Sequence, residues 1–81
     1  MVTAAQIRAA RALLRWSSQT LATESGLSLP TIQRMEAATG VPPSLSKNLE
    51  AVENALKKAG IVFISENGGG VGVRFRSGTG A

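Results

Sequence analysis

At 81 residues the chain suffices for one small domain, and a chain of this size buries only about 60–65% of its unfolded surface, so a lone copy is marginally stable. It has no cysteine and no histidine, which excludes disulfides, thiolate metal sites and Ser-His nucleophilic triads, and its five acidic residues form no catalytic dyad, so neither an enzyme nor a cofactor is expected. The net charge of +4, with an isoelectric point near 10.8, suits a polyanionic partner such as double-stranded DNA. No apolar run approaches the roughly 20 residues of a membrane span. The N-terminus also lacks the apolar core of a signal peptide, so a cytoplasmic protein is expected.

Thr3 opens the first helix, with Gln6 three residues on, the pattern of a capping box. Ile7, Ala10 and Leu14 then recur at i, i+3 and i+7, the stripe that a buried helix face needs. Arg8, Arg11 and Arg15 repeat at the same spacing on a neighbouring face. They form either a phosphate-contacting stripe or a solvated face, and the solvated face is favoured. Trp16, the only tryptophan, reads as a partly buried core residue.

From Ser17 to Glu36 two short helical patterns meet across a glycine. Leu21 and Ala22 are the apolar residues of the first, Ile32 and Met35 those of the second. Gly26 lies between them, where a tight turn needs a residue that tolerates positive φ. Ser17 and Ser28 precede the two patterns as N-caps. Pro30 falls in the first turn of the second, where its missing N–H costs nothing. Two helices joined by a short glycine turn are the helix-turn-helix signature. The second helix of such a pair can lie in the DNA major groove with its N-terminal residues at the base edges. Leu29, Pro30, Thr31, Gln33 and Arg34 are the solvent-facing candidates. Arg34 can donate two hydrogen bonds to guanine, Gln33 can pair with adenine, and Leu29 and Pro30 can touch a thymine methyl.

At these residues the chain resembles the Cro/repressor (Xre-type) helix-turn-helix family, whose pattern runs roughly S-Q-x-x-L-A-x-x-x-G-[VL]-S-x-x-T-I-x-R-x-E. Ser17, Leu21, Ala22, Gly26, Leu27, Ser28, Thr31, Ile32, Arg34 and Glu36 fall on it in order, and the resemblance covers about residues 5 to 59. The resemblance implies a helix 2 that crosses the DNA backbone, where its N-terminal N–H groups favour a phosphate and Ser18 and Gln19 add donors. It also implies that Arg11 pairs with Glu36 at the end of the recognition helix, a bidentate arginine–carboxylate lock. The chain departs from the pattern twice. Ser18 stands where the family has glutamine, with Gln19 one place later, and Arg15 stands where the family often has glycine.

Residues 37–43 contain Gly40 and the Pro42-Pro43 pair and read as a loop. Leu49, Val52 and Leu56 set a fourth helix over about 45–59, with Ser44 or Ser46 as its cap, Lys57 and Lys58 suited to the dipole of its last turn, and Gly60 as its closing glycine. The period then changes. Ile61 to Ile64 is a β-branched and aromatic run, and Val71, Val73 and Phe75 alternate with Gly72, Arg74 and Arg76, as in a half-buried strand. The E-N-G-G-G between them predicts a hairpin connection of about five residues.

The expected fold is mostly α. A four-helix, lambda-repressor-like helix-turn-helix domain spans 1–59, an antiparallel β-hairpin 60–76 and a disordered tail 77–81. The expected function is transcriptional regulation by a homodimer that binds DNA through Ser18, Gln19, Ser28, Leu29, Thr31, Gln33 and Arg34. The alternative is a protein-interaction module on the same scaffold, an anti-activator or antitoxin with another regulatory protein as partner. A lone hairpin is barely stable in water, so Ile61, Phe63, Val71, Val73 and Phe75 must be covered. A second copy covers them in the favoured reading, and helices 1 and 4 of the same chain in the competing one.

Overall fold

The computed structural model describes residues 2–76; the tail over 77–81 lies outside the described residues. Four helices come first, α1 (Ala4–Leu14), α2 (Ser18–Ser25), α3 (Leu29–Ala37) and α4 (Ser46–Lys58), and two strands follow, β1 (Ile61–Ile64) and β2 (Gly72–Phe75).

Each of the first three helices begins where a side-chain oxygen can satisfy an orphan N–H of its first turn. Thr3 Oγ1 accepts from Gln6 N–H at 3.1 Å, and Gln6 Oε1 accepts in return from Thr3 N–H at 2.9 Å. Ser17 caps α2 through Thr20 N–H and Ser28 caps α3 through Thr31 N–H. The ends are equally local. Gly26 closes α2 at φ 75°, and a Cβ there would meet nothing within 4 Å. The glycine is therefore favoured by the left-handed backbone and not by lack of space. Arg15 closes α1 in the same left-handed region, at φ 57°, and is the one non-glycine residue there among those described.

α4 departs from expectation at its start. Its N-cap is Leu45, which makes no side-chain capping bond, and Ser46 is already helical, so neither serine serves as the cap. Leu49, Val52 and Leu56 fix which face of α4 turns inward, and burying that face outweighs one capping bond.

Ile7, Ala10, Leu21, Ala22, Ile32, Met35, Val52, Leu56 and Ile61 form a single core to which every helix and β1 contribute. Leu14, Trp16, Leu27, Leu29, Leu49, Phe63, Val73 and Phe75 pack around it, half-buried. The strands pair antiparallel with Ile61 opposite Phe75, Val62 opposite Arg74, Phe63 opposite Val73 and Ile64 opposite Gly72. The period-2 alternation of a strand places Ile61, Phe63, Val73 and Phe75 on the face that meets the helices.

The hairpin is thus covered by α1 and α4 of its own chain. Ile61, expected on a surface shared with a second copy, is instead 2% exposed in the core of one chain. Val71 lies outside β2 and is exposed. The connection runs over residues 65–71, longer than the expected five, because the last paired residues are Ile64 and Gly72. Its own side chains order it. Glu66 Oε2 accepts from the N–H of Gly68 and of Gly70, and Asn67 Oδ1 from that of Gly69.

A buried polar side chain fastens the hairpin to α1. Gln6 is 3% exposed, and its Nε2 donates to Ile64 O at 3.1 Å and to Gly72 O at 2.9 Å. One glutamine therefore caps α1 and holds both strands. Among the described residues no helix is long and apolar enough to cross a membrane.

Candidate nucleic-acid interface

α2 and α3 share one design. Each opens on a serine cap whose hydroxyl also contacts a threonine hydroxyl one turn on, Ser17 with Thr20 at 3.0 Å and Ser28 with Thr31 at 2.9 Å. Between them Gly26, Leu27 and Ser28 reverse the chain. On the inner side of α3, Ile32 is 0% and Met35 2% exposed. Pro30, Gln33, Arg34 and Ala37 lie on its exposed side, with Thr31 half-buried between the two faces.

The far end of α3 is anchored by charge. Arg11 Nε donates to Glu36 Oε2 at 2.8 Å and its NH2 group donates to Oε1 at 3.1 Å, the two parallel bonds of a fork-on-carboxylate pair. The NH1 group of Arg11 donates to Trp16 O at 3.0 Å, and Ser18 Oγ donates to Glu36 Oε1 at 3.3 Å. Arg8 NH1 donates to the backbone carbonyl of Glu36. Residue 36 is thus held by α1 through two arginines and by the start of α2 through a serine. Glu36 is 8% exposed, and a carboxylate that far from water is costly unless it is paired and hydrogen-bonded.

This network sorts the residues expected at the interface. Arg34 and Gln33 stand on the exposed side of α3, and an Arg34 NH2 lies 3.4 Å from Thr31 Oγ1. Gln19 is exposed at the start of α2, with its amide 3.4 Å from Thr23 Oγ1. Ser28 is occupied as the α3 cap. Two expectations change. Ser18 directs its hydroxyl proton to Glu36 at 3.3 Å and not to solvent. Leu29 is half-buried and packs against the core, not into solvent. Of the arginine stripe on α1, both Arg8 and Arg11 act on Glu36, and Arg15 is exposed.

α2 and α3 carry two carboxylates, Glu24 and the buried Glu36, so Arg34 has no exposed acid beside it on its own helix. Past Arg34 the surface continues into an open groove of about 890 Å³ between the end of α3 and the start of α4. Thr31, Arg34, Met35, Pro42, Leu45 and Asn48 line it. Leu45 is 64% exposed there. The groove could not be anticipated, because its walls come from segments whose relative placement no local pattern reports. Nor could the second role of Gln6, since its strand partners are 58 and 66 residues away.

Among the described residues no cluster of carboxylates could hold a metal ion. No family model matches this chain, and no curated protein matches it.

Proposed function

We propose that this chain is a sequence-specific DNA-binding transcriptional regulator of the Cro/repressor type, which reads a short operator through α3 as a homodimer. The observation that carries the reading is the division of α3 into two faces. Ile32, Met35 and Glu36 are buried and fixed, while Gln33 and Arg34 stand in solvent on a helix whose only carboxylate is neutralised beneath it. A rigid helix with solvent-exposed guanidinium and amide groups matches the donors and acceptors of the major groove. The net charge of +4 favours a phosphate backbone. Within the site, Arg34 and Gln33 read bases, Gln19 and the first N–H groups of α2 meet a phosphate, and Thr31 steadies Arg34.

A single recognition helix contacts few base pairs, and proteins with this motif commonly bind paired half-sites about 34 Å apart. With Ile61 buried and Phe63, Val73 and Phe75 facing the helices, pairing through the hairpin has to use its other face, where Val62, Ile64 and Arg74 lie, together with exposed Val71. The inward Ser18 and the buried side of Leu29 favour the second reading, a scaffold that binds another regulatory protein, because both remove a contact to DNA.

The test is selection of duplexes from a random pool by the full-length protein, with the DNA upstream of its own gene as a direct candidate. Enrichment of one two-fold symmetric sequence is expected, with affinity that falls steeply as salt rises. Arg34→Ala should cost about 1–3 kcal/mol of binding and relax preference at one base pair. Equal affinity for every duplex, or an Arg34→Ala protein that binds and discriminates as before, rejects the reading.

A further inference from the structure

The connection between β1 and β2 places three reacting groups together. Asn67 is followed by Gly68, and a residue without a Cβ leaves its amide nitrogen open to the side chain before it. Asn67 Oδ1 accepts from Gly69 N–H at 3.1 Å. A donor at that oxygen draws charge from Cγ and stabilises the oxyanion that forms when Cγ is attacked. Gly68 N–H, on the nitrogen that would attack, donates to Glu66 Oε2 at 2.9 Å, and the same oxygen accepts from Gly70 N–H at 3.0 Å. Residues 65–71 are all exposed, so the connection lies in water. The two other asparagines, Asn48 and Asn54, lie within α4, and the residues after them are Leu49 and Ala55. Leu49 N–H is committed to Leu45 O at 3.1 Å.

We propose that Asn67 is a self-modification site, converted to aspartate and isoaspartate through a cyclic imide, and that Glu66 sets its rate by restraining the nucleophile. Gly68 N gives up its proton to a base in the solvent and forms a bond to Asn67 Cγ. The Cγ–Nδ2 bond breaks, and the side-chain nitrogen leaves as ammonia with a proton from water. Hydrolysis then opens the five-membered imide. Cleavage of the N–Cγ bond gives aspartate, and cleavage of the bond to the backbone carbonyl carbon gives isoaspartate. One water is consumed, one ammonia is released and nothing is oxidised or reduced. Glu66 opposes the first step, because it holds the proton that must leave and places a negative charge beside the nitrogen that becomes anionic. Each conversion adds one carboxylate, which lowers the net charge from +4 to +3. The site is independent of α3 and of the DNA-binding reading.

The experiment is timed incubation of the full chain in neutral buffer, with peptide mass mapping of Asn48, Asn54 and Asn67 and chromatographic separation of the isoaspartyl product. Conversion at Asn67 while Asn48 and Asn54 stay intact is expected. Glu66→Ala, shown to be folded by circular dichroism, should convert about tenfold faster, a change equal to about 1.4 kcal/mol in the barrier. Asn67 conversion no faster than at the helical asparagines overturns the site, and an unchanged rate in Glu66→Ala overturns the restraint.

Discussion

α3 and the hairpin both attach to α1, by different chemistry. α3 is joined at its last turn by charge, with Arg11 gripping the Glu36 carboxylate and Arg8 its carbonyl. The hairpin is joined by apolar burial, with Ile61 in the core and the neutral Gln6 amide on two strand carbonyls. Directional charge-assisted bonds fix the axial rotation of a helix while leaving its opposite face free. Burial instead consumes the face that it uses. The first attachment therefore leaves the Gln33 and Arg34 side of α3 in solvent, and the second leaves the hairpin its back alone.

Five substitutions test this comparison, and the largest effect is expected from the core. Ile61→Ala should cost about 2–5 kcal/mol in chemical denaturation, whereas Val71→Ala, on exposed Val71 of the same hairpin, should stay within about 0.5 kcal/mol. Equal effects would show that the hairpin is not a part of the core. Glu36→Ala should cost about 2–3 kcal/mol, less than the roughly 3–5 of a fully buried pair, because the Arg11 side chain remains 25% exposed and keeps some water. On the proposed function, it should weaken DNA binding only through the fold. A melting temperature that does not move, alongside lost sequence discrimination, would make Glu36 a reading residue instead.

Gln6→Ala removes half of the capping box and both strand contacts. About 1–3 kcal/mol is expected, and hydrogen exchange should rise first at the hairpin, with α3 unaffected. Exchange that rises evenly would mean that the two attachments are one unit. Apart from the Val71→Ala control, the smallest change is expected from Arg15→Gly, a gain of about 0.5–1 kcal/mol as strain at φ 57° is relieved. A loss would show that the Arg15 side chain makes a stabilising contact.

The contrast also marks what the sequence could disclose. Thr3 with Gln6, Ser17, Gly26 and Ser28 act within one turn of themselves, so the ends of α1, α2 and α3 were readable from local spacing. The four-helix order and the change to strand period were readable for the same reason. The pairing of Arg11 with Glu36 was legible only through the resemblance, since nothing local links residues 25 apart. The start of α4 was not legible, because Ser44 and Ser46 advertise a cap equally and core burial chose Leu45. The length of the hairpin connection was hidden in glycines that carry no phase. The destination of the hairpin depended on α1 and α4, and both candidate coverings satisfied the same apolar residues. Ser18 and Leu29 were misplaced because helical spacing assigns a face but not what that face meets.

The Gln6 contact has a consequence for the order of events during synthesis. It joins residues 66 apart, so nearly the whole described chain must exist before it can form. Closing so long a loop is entropically slow to be rewarded, and contacts of high sequence separation delay folding. A chain leaving the ribosome exposes α1 through α4 first, with the place of Ile61 in their shared core still empty. Until β1 and β2 emerge, the helix residues that share the core with Ile61 lack its cover, and exposed apolar surface of that kind is what makes a nascent chain prone to aggregation.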